Sequence, residues 1–171
     1  SYGSRGLGDV YKRQVFQPGV NEELAATAAW GTQMIKLYDQ PKIDGVFSLW
    51  YGKGPGLDRA MDAIRHANMG GSSKLGGMLL AVADDPIGKS STLAYQSEQS
   101  LISAGIPIFY PANVHEVVPL GLQAYQLSRY AGICVGLKIT ADTADSSAVV
   151  DLTSLRPVSY THLRAHETRN Y

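Results

Sequence analysis

The chain has little cysteine and no long apolar run. Its 171 residues include one cysteine, Cys134, so a disulfide within the chain and a cysteine-based metal site are excluded. Cys134 lies in the run ICVGLKI, which favours a small buried hydrophobe over a reactive thiol. No stretch approaches the roughly 20 apolar residues that a membrane-spanning helix needs. We therefore expect no membrane contact, and the expected compartment is the cytoplasm.

The chain also has no formal net charge, because basic residues at its two ends offset an acidic excess between them. Ser4–Gln14 can be encoded by a DNA string whose reverse complement, read in another phase, encodes Val158–Glu167. A natural protein has no reason to carry such an inverted repeat, and the DNA resembles a transposase-type sequencing adaptor. Residues 1–14 and 158–171 are therefore interpreted as translated adaptor DNA and not as part of the natural fold. We expect them to be disordered, with few packed contacts.

The insert between these ends, residues 15–157, contains ten basic and thirteen acidic residues. This mildly acidic balance gives no basic footprint for nucleic acid. About 140 residues suit one domain with a single core. Because both ends are expected to be cuts through a longer gene, the domain is expected to be truncated.

Short apolar runs alternate with helical patterns along the insert. The predicted strands are Gly45–Trp50, Gly77–Ala83, Ile106–Tyr110, Ile133–Ile139 and a weaker one at Ala148–Leu152. The predicted helices are Glu22–Ile35, Asp58–Asn68, Ser97–Ala104 and His115–Tyr130. Asn21 is the predicted N-cap of the first helix and Asp58 that of the second, and Gly132 is the predicted stop after the last. The alternation predicts an α/β fold, with a mainly parallel sheet buried on both faces by helices.

Ligands of such sheets bind beyond the carboxyl ends of the strands, which directs attention to the loops after Trp50, Ala83 and Tyr110. The segment ADDPIGKS fits a loose phosphate-loop pattern. Its acidic residues would face the phosphate charge, and Pro86 has no N–H to donate. The segment GKGPG is not a dinucleotide fingerprint, because its spacing fails. We interpret it as a turn whose glycines take positive φ.

A third segment, NEELAATAAWG, opens the first predicted helix. Asn21 as the cap, with acidic residues in the first turn, is an ordinary helix start. A functional interpretation requires one of the carboxylates to be buried against a ligand.

Five blocks together resemble the indolepyruvate ferredoxin oxidoreductase family, in particular its fused long-chain bacterial branch. They are FQPGVNEELAATAAWGTQ, DGVFSLWYGKGPGLDR, RHANMGG, GGMLLAVADDPIGKSSTLAYQSEQ and IPIFYPANVHE. The resemblance covers nearly all of residues 15–157 and keeps the order of the blocks. It implies a flavodoxin-like α/β domain that binds the pyrimidine ring of thiamine diphosphate.

The resemblance also implies roles for particular residues. A family glutamate after Asn hydrogen-bonds N1′ of the aminopyrimidine and shares its proton, so that the 4′-nitrogen can take the C2 proton of the thiazolium ring. By position this residue is Glu22, which is therefore assigned as catalytic and cofactor-binding. Asn21 is assigned as cofactor-binding beside it, and Glu23 is the alternative to Glu22.

Three further residues are implied on the cofactor side. His66 and Asn68 are assigned there by the block RHANMGG, although a surface or capping role is an equal alternative for each. Glu98 is assigned to the site or to a contact with a partner domain. No metal ligand is assigned in this chain.

The implied activity is oxidative decarboxylation of an aryl 2-oxo acid to acyl-coenzyme A, with electrons passing through iron–sulfur clusters to ferredoxin. The G-D-G and Asn motif that holds Mg²⁺ and the diphosphate does not occur here, nor do the cluster cysteines or the substrate loop. Those parts are expected in domains outside the insert. The complete protein is expected to be a homo-oligomer, and the fragment alone is expected to be inactive. The alternative is a nucleotide- or flavin-phosphate-binding α/β module without thiamine chemistry.

Overall fold

A computed structural model describes residues 14–89 and 91–150. Within these ranges the helices are α1 (Glu22–Gln33), α2 (Gly54–Gly70), α3 (Glu98–Ser103), α4 (Val114–Ala131) and α5 (Ala141–Asp145), with a 3₁₀ turn at Ile35–Leu37. The strands are β1 (Phe47–Lys53), β2 (Gly77–Asp84), β3 (Ile108–Phe109) and β4 (Cys134–Thr140). None of these helices combines the length and the apolar character that crossing a membrane requires.

The four strands form one sheet in the order β1-β2-β4-β3, and every neighbouring pair is parallel. Helices α1, α2 and α3 contribute to the core on one face, around Leu80 of β2. Helix α4 packs on the opposite face, where Ala124 meets Leu79 and Val135. The predicted α/β fold, a parallel sheet with helices on both faces, is confirmed.

Two predicted helix signals are confirmed. The Asn21 side chain accepts a hydrogen bond from the Leu24 N–H at 2.9 Å, which caps α1. Gly132 ends α4 in the left-handed conformation, with φ of 70°, where a glycine carries no Cβ penalty. Cys134 is buried as expected, and burial raises the pKa of its thiol to about 12.

The predicted start of the second helix at Asp58 is wrong. Helix α2 begins at Gly54, with Pro55 in its first positions, so Asp58 lies inside the helix and does not cap it. The physical reason is the proline, whose fixed φ suits the first helical turn and whose missing N–H is not needed there. The segment GKGPG therefore joins β1 directly to α2.

Strand boundaries also differ from the prediction. β1 continues through Tyr51–Lys53 because these residues pair with Ala81–Ala83 of β2. β3 shrinks to two residues. Residues 148–150 of the weaker predicted strand form no strand, and residues 151 and 152 lie outside the described ranges. Disorder is expected at residues 1–14 and 158–171. Apart from Gln14, these residues also lie outside the described ranges.

The expectation that every strand is buried on both faces fails for β1. Trp50 is 3% exposed, but Leu49 and Tyr51 on the other face are 53% and 63% exposed. In the register, Leu49 is aligned with the buried Leu79. The uncovered surface is therefore an apolar extension of the α4 side of the sheet.

Two leucines on neighbouring strands provide a matched test of this core. Leu80 is fully buried in β2, so Leu80→Ala is expected to lower the free energy of unfolding by about 2–5 kcal/mol. Leu49→Ala removes the same atoms from the half-exposed face of β1 and should cost much less. Urea denaturation of both variants checks this. Equal losses would show that the face of β1 is covered in solution.

Candidate active site at the carboxyl edge of the sheet

The start of α1 lies beside the end of β1. The indole N–H of Trp50 donates a hydrogen bond to the backbone carbonyl of Glu22 at 3.0 Å. Trp50 itself is buried in the core beneath α1 and α2. This bond anchors the first turn of α1 at the carboxyl edge of the sheet, where parallel α/β folds bind ligands.

The side chain of Glu22 lies against the first turn of α2. A Cβ added at Gly56 would lie 2.5 Å from Glu22 Cγ and 3.1 Å from its Oε1. Glu22 is half-buried, and its carboxylate has no hydrogen-bond or ion-pair partner within residues 14–89 and 91–150. The amino ends of two helices, which carry partial positive charge, favour a carboxylate at this position.

The neighbouring Glu23 is placed differently. It is exposed, and its backbone carbonyl accepts a hydrogen bond from the Thr27 hydroxyl within α1. The structure therefore distinguishes the two acidic residues. Only Glu22 faces the junction of α1 and α2.

The glycines of GKGPG serve packing, which corrects the prediction of a positive-φ turn. Among the described residues, the glycines with positive φ are Gly71, Gly88, Gly105 and Gly132. Gly52 instead makes room for the Trp50 ring, Gly54 for the Tyr95 ring and Gly56 for Glu22. Protein side chains thus occupy the space beside these glycines that a phosphate cradle would leave open.

Tyr95 covers the start of α2 from another side. Its hydroxyl donates to Asp58 Oδ1 at 2.6 Å, and burial together with this carboxylate raises the pKa of Tyr95 to about 12. Because helix positions two apart point in different directions, Gly54 and Gly56 present different faces of the helix. The first turn of α2 is therefore held between Tyr95 and Glu22.

In the loop after β2, the Asp85 side chain occupies two backbone amides. The Asp85 carboxylate accepts hydrogen bonds from Lys89 N–H at 2.8 Å and Ser91 N–H at 3.0 Å. These are amides that a bound phosphate would need. Lys89 forms an exposed ion pair with Asp145, and among the described residues that follow Lys89 the next helix begins at Glu98. The described residues of this loop therefore lack the free amides and the following helix of a phosphate site.

Glu98 belongs to an ion cluster, defined by Asp84, Glu98 and Lys138, in which Asp84 and Lys138 are buried and Glu98 is half-buried. The Lys138 ammonium lies 3.3 Å from Asp84 Oδ2, contacts Glu98 Oε1, and sits over the Tyr110 ring at 4.7 Å. The hydrogen bond from Lys138 lowers the pKa of Glu98. Burial acts to lower the pKa of Lys138, but its bonds to Glu98 and Asp84 outweigh burial and raise it. One oxygen of Glu98 is thus engaged within the protein.

His66 and Asn68 lie far from Glu22. They are ten and twelve positions beyond Gly56 along α2, a rise of about 15–18 Å. The structure therefore does not bring these two residues to the edge that carries Glu22. His66 is exposed, with Nδ1 2.8 Å from the carbonyl of Asp62 one turn earlier.

Asn68 has a structural role at the amino edge of the sheet. Its amide group donates to the Ala104 carbonyl at 2.9 Å and accepts from the Cys134 N–H at 2.9 Å. It thereby joins the end of α3 to the start of β4. This arrangement fits the alternative of a capping role.

We expect Asn68→Ala to destabilise the fold by about 1–3 kcal/mol, because it leaves a partly buried N–H and carbonyl without partners. His66→Ala, which removes an exposed side chain from the same helix, should change stability by less than about 0.5 kcal/mol. Thermal denaturation of the two variants measures both effects. An unchanged stability in Asn68→Ala would contradict the bridging role.

Three residues of this edge were not predicted. Trp50 was placed only in a strand, and nothing in the pattern linked Tyr95 to the glycines of GKGPG. A signal did exist for Lys138, since a lysine within the apolar run ICVGLKI needs a buried partner or an exposed position. The structure gives it two carboxylates.

The fold and this edge define the class of the described part of the chain: an open parallel α/β domain in which the Glu22 carboxylate, without a partner among residues 14–89 and 91–150, lies at the carboxyl edge of the sheet. No protein-family model and no curated protein matches the chain.

Proposed function

We propose that residues 15–157 form the pyrimidine-binding part of a thiamine diphosphate-dependent 2-oxoacid:ferredoxin oxidoreductase related to the indolepyruvate family. The observation that supports the proposal most is the Glu22 carboxylate. It is half-buried at the carboxyl edge and unpaired within the described residues, and its backbone is fixed by Trp50.

The residues around Glu22 fit the pyrimidine ring in their chemistry. The Glu22 carboxyl group can hold the proton shared with N1′, because no other group within residues 14–89 and 91–150 competes for its oxygens. Asn21 fixes the entry to α1 through its cap, and Gly56 sets how closely the side chain approaches α2. When bound, thiamine diphosphate supplies a thiazolium carbon that adds to a 2-oxo acid and accepts the electrons left by carbon dioxide.

Apolar residues beside Glu22 are open for a covering partner. Val20 is 90% exposed and Leu24 is 52% exposed, on either side of Glu22 in the sequence. A domain that holds the diphosphate and Mg²⁺ would cover this surface and exclude water from the carboxylate, which strengthens its interactions. The exposed residues support a site shared between two domains. In the proposed enzyme, a homo-oligomer, the iron–sulfur clusters and the sites for coenzyme A and ferredoxin lie outside residues 15–157.

The DNA that flanks the insert provides the first test. We expect the complete gene to encode the Mg²⁺-binding G-D-G and Asn motif together with the cysteines of iron–sulfur clusters. The purified product should reduce ferredoxin with an aryl 2-oxo acid only when thiamine diphosphate and coenzyme A are added. A complete gene without these motifs, or turnover that ignores thiamine diphosphate, would contradict the proposal.

A further inference from the structure

The ion cluster is built from three elements. Asp84 is the last residue of β2, Lys138 lies in β4, and Glu98 is the first residue of α3. Asp84 and Lys138 are 2% and 4% exposed. A buried charge of this kind is tolerated only when its partners stay in place. The cluster therefore fixes where α3 begins relative to the sheet.

The cluster also contacts the segment that precedes α3, residues 91–97. Asp84 Oδ2 accepts a hydrogen bond from Ser97 N–H at 3.0 Å, beside the contact of Glu98 with Lys138. Asp85 binds two more amides of the segment: its carboxylate accepts from the Ser91 N–H, and its backbone carbonyl accepts from the Tyr95 N–H. Residues 91–97 contain neither helix nor strand. The bonds to Asp84 and Asp85 tie them to the end of β2, and the Tyr95 hydroxyl ties them to Asp58 of α2.

The segment in turn carries Tyr95 against Gly54, in the helical turn whose Gly56 contacts Glu22. Release of the segment would free this turn on the Tyr95 side. The Glu22 side chain contacts the same turn at Gly56, and the Trp50 indole N–H donates to the Glu22 carbonyl.

We propose that Lys138 and Glu98 are positioning residues for Glu22. They act through the segment 91–97 and Tyr95 on the first turn of α2. The inference rests on the proposed function, which makes Glu22 the residue that contacts the cofactor. It assigns Glu98 to holding Glu22 in position and not to contacting the cofactor.

Proton exchange measured by NMR on the 171-residue chain tests the inference. The Ser97 amide reports on the segment, and the Trp50 indole N–H reports on the Glu22 end. In Glu98→Ala we expect both protons to exchange about tenfold faster or more, as local opening becomes easier. Amides of the β2–β4 ladder should keep their rates. Lys138→Met should show the same pattern more strongly.

Two matched variants sharpen the experiment. Glu98→Gln keeps an oxygen that can accept from Lys138 and should return both protons close to the wild-type rates. Lys89→Ala breaks an exposed ion pair of the neighbouring loop and should leave both unchanged. Faster exchange of Ser97 with an unchanged Trp50 indole would overturn the inference. Equal acceleration of the whole β2–β4 ladder would also overturn it, because the cluster would then stabilise the fold as a whole.

These outcomes are separate from the test of the proposed function. Exchange rates need no cofactor, so an enzyme without thiamine-dependent turnover would refute the proposed function and leave the coupling between the cluster and Trp50 measurable. Unchanged exchange in Glu98→Ala would refute the coupling in an enzyme that still uses thiamine diphosphate.

Discussion

The proposed function predicts that Glu22→Gln in the complete protein reduces thiamine diphosphate-dependent decarboxylation by about 10²–10⁴-fold, the usual contribution of a proton-transferring side chain. Glutamine has nearly the same shape and can still accept a hydrogen bond, but it cannot hold the proton shared with N1′. Because the Glu22 carboxylate has no partner within residues 14–89 and 91–150, the fold should lose only its interaction with the helix amino ends, about 0.3–1 kcal/mol. Steady-state kinetics and thermal denaturation together check both statements.

Two variants control for this loss. Glu23→Gln removes the adjacent, exposed carboxylate and should retain activity. Lys89→Ala should also retain activity, because Asp85 already binds the amides of its loop. Retained activity in Glu22→Gln combined with its loss in Lys89→Ala would favour a phosphate-binding module and contradict the thiamine proposal.

The sheet and its helices were predictable because their signals are local. The alternation of apolar runs with helical periodicity indicates parallel strands and crossover helices. Asn21 and Gly132 mark helix ends through their own backbone chemistry. The prediction failed where tertiary packing decides, as at β1, whose apolar residues do not reveal which face a helix covers. It also failed at α2, where Pro55 extends the helix forward over glycines that were interpreted as a turn.

The site was only partly predictable. Asn21 and Glu22 could be assigned as a cap and a first-turn carboxylate, but the sequence pattern alone could not distinguish Glu22 from Glu23. That distinction comes from Gly56, which is 34 positions away in the chain. The same holds for Asn68, whose partners Ala104 and Cys134 are brought together only by the folded sheet. Contacts between distant segments leave no periodicity to detect.

Gly56→Ala gives the second large expected effect. The added Cβ would meet Glu22 Cγ at 2.5 Å, so the side chain must move away from α2. A displacement of about 1 Å in a catalytic group can cost about 100-fold, and we expect kcat/KM of the complete enzyme to fall to that extent. Rotation of the half-buried Glu22 side chain relieves the contact and alanine favours the helix, so we expect the variant to stay folded.

Gly31→Ala is the matched control for this substitution. Gly31 also lies in a helix, α1, but a Cβ there would meet nothing within 4 Å. It should raise stability by about 0.5–1 kcal/mol through helix propensity alone and leave activity unchanged. If Gly56→Ala behaves like Gly31→Ala, the close contact with α2 does not set the position of Glu22. If only Gly56→Ala loses activity while both variants stay folded, the role of Gly56 is to set the position of the Glu22 carboxylate and not to form a turn.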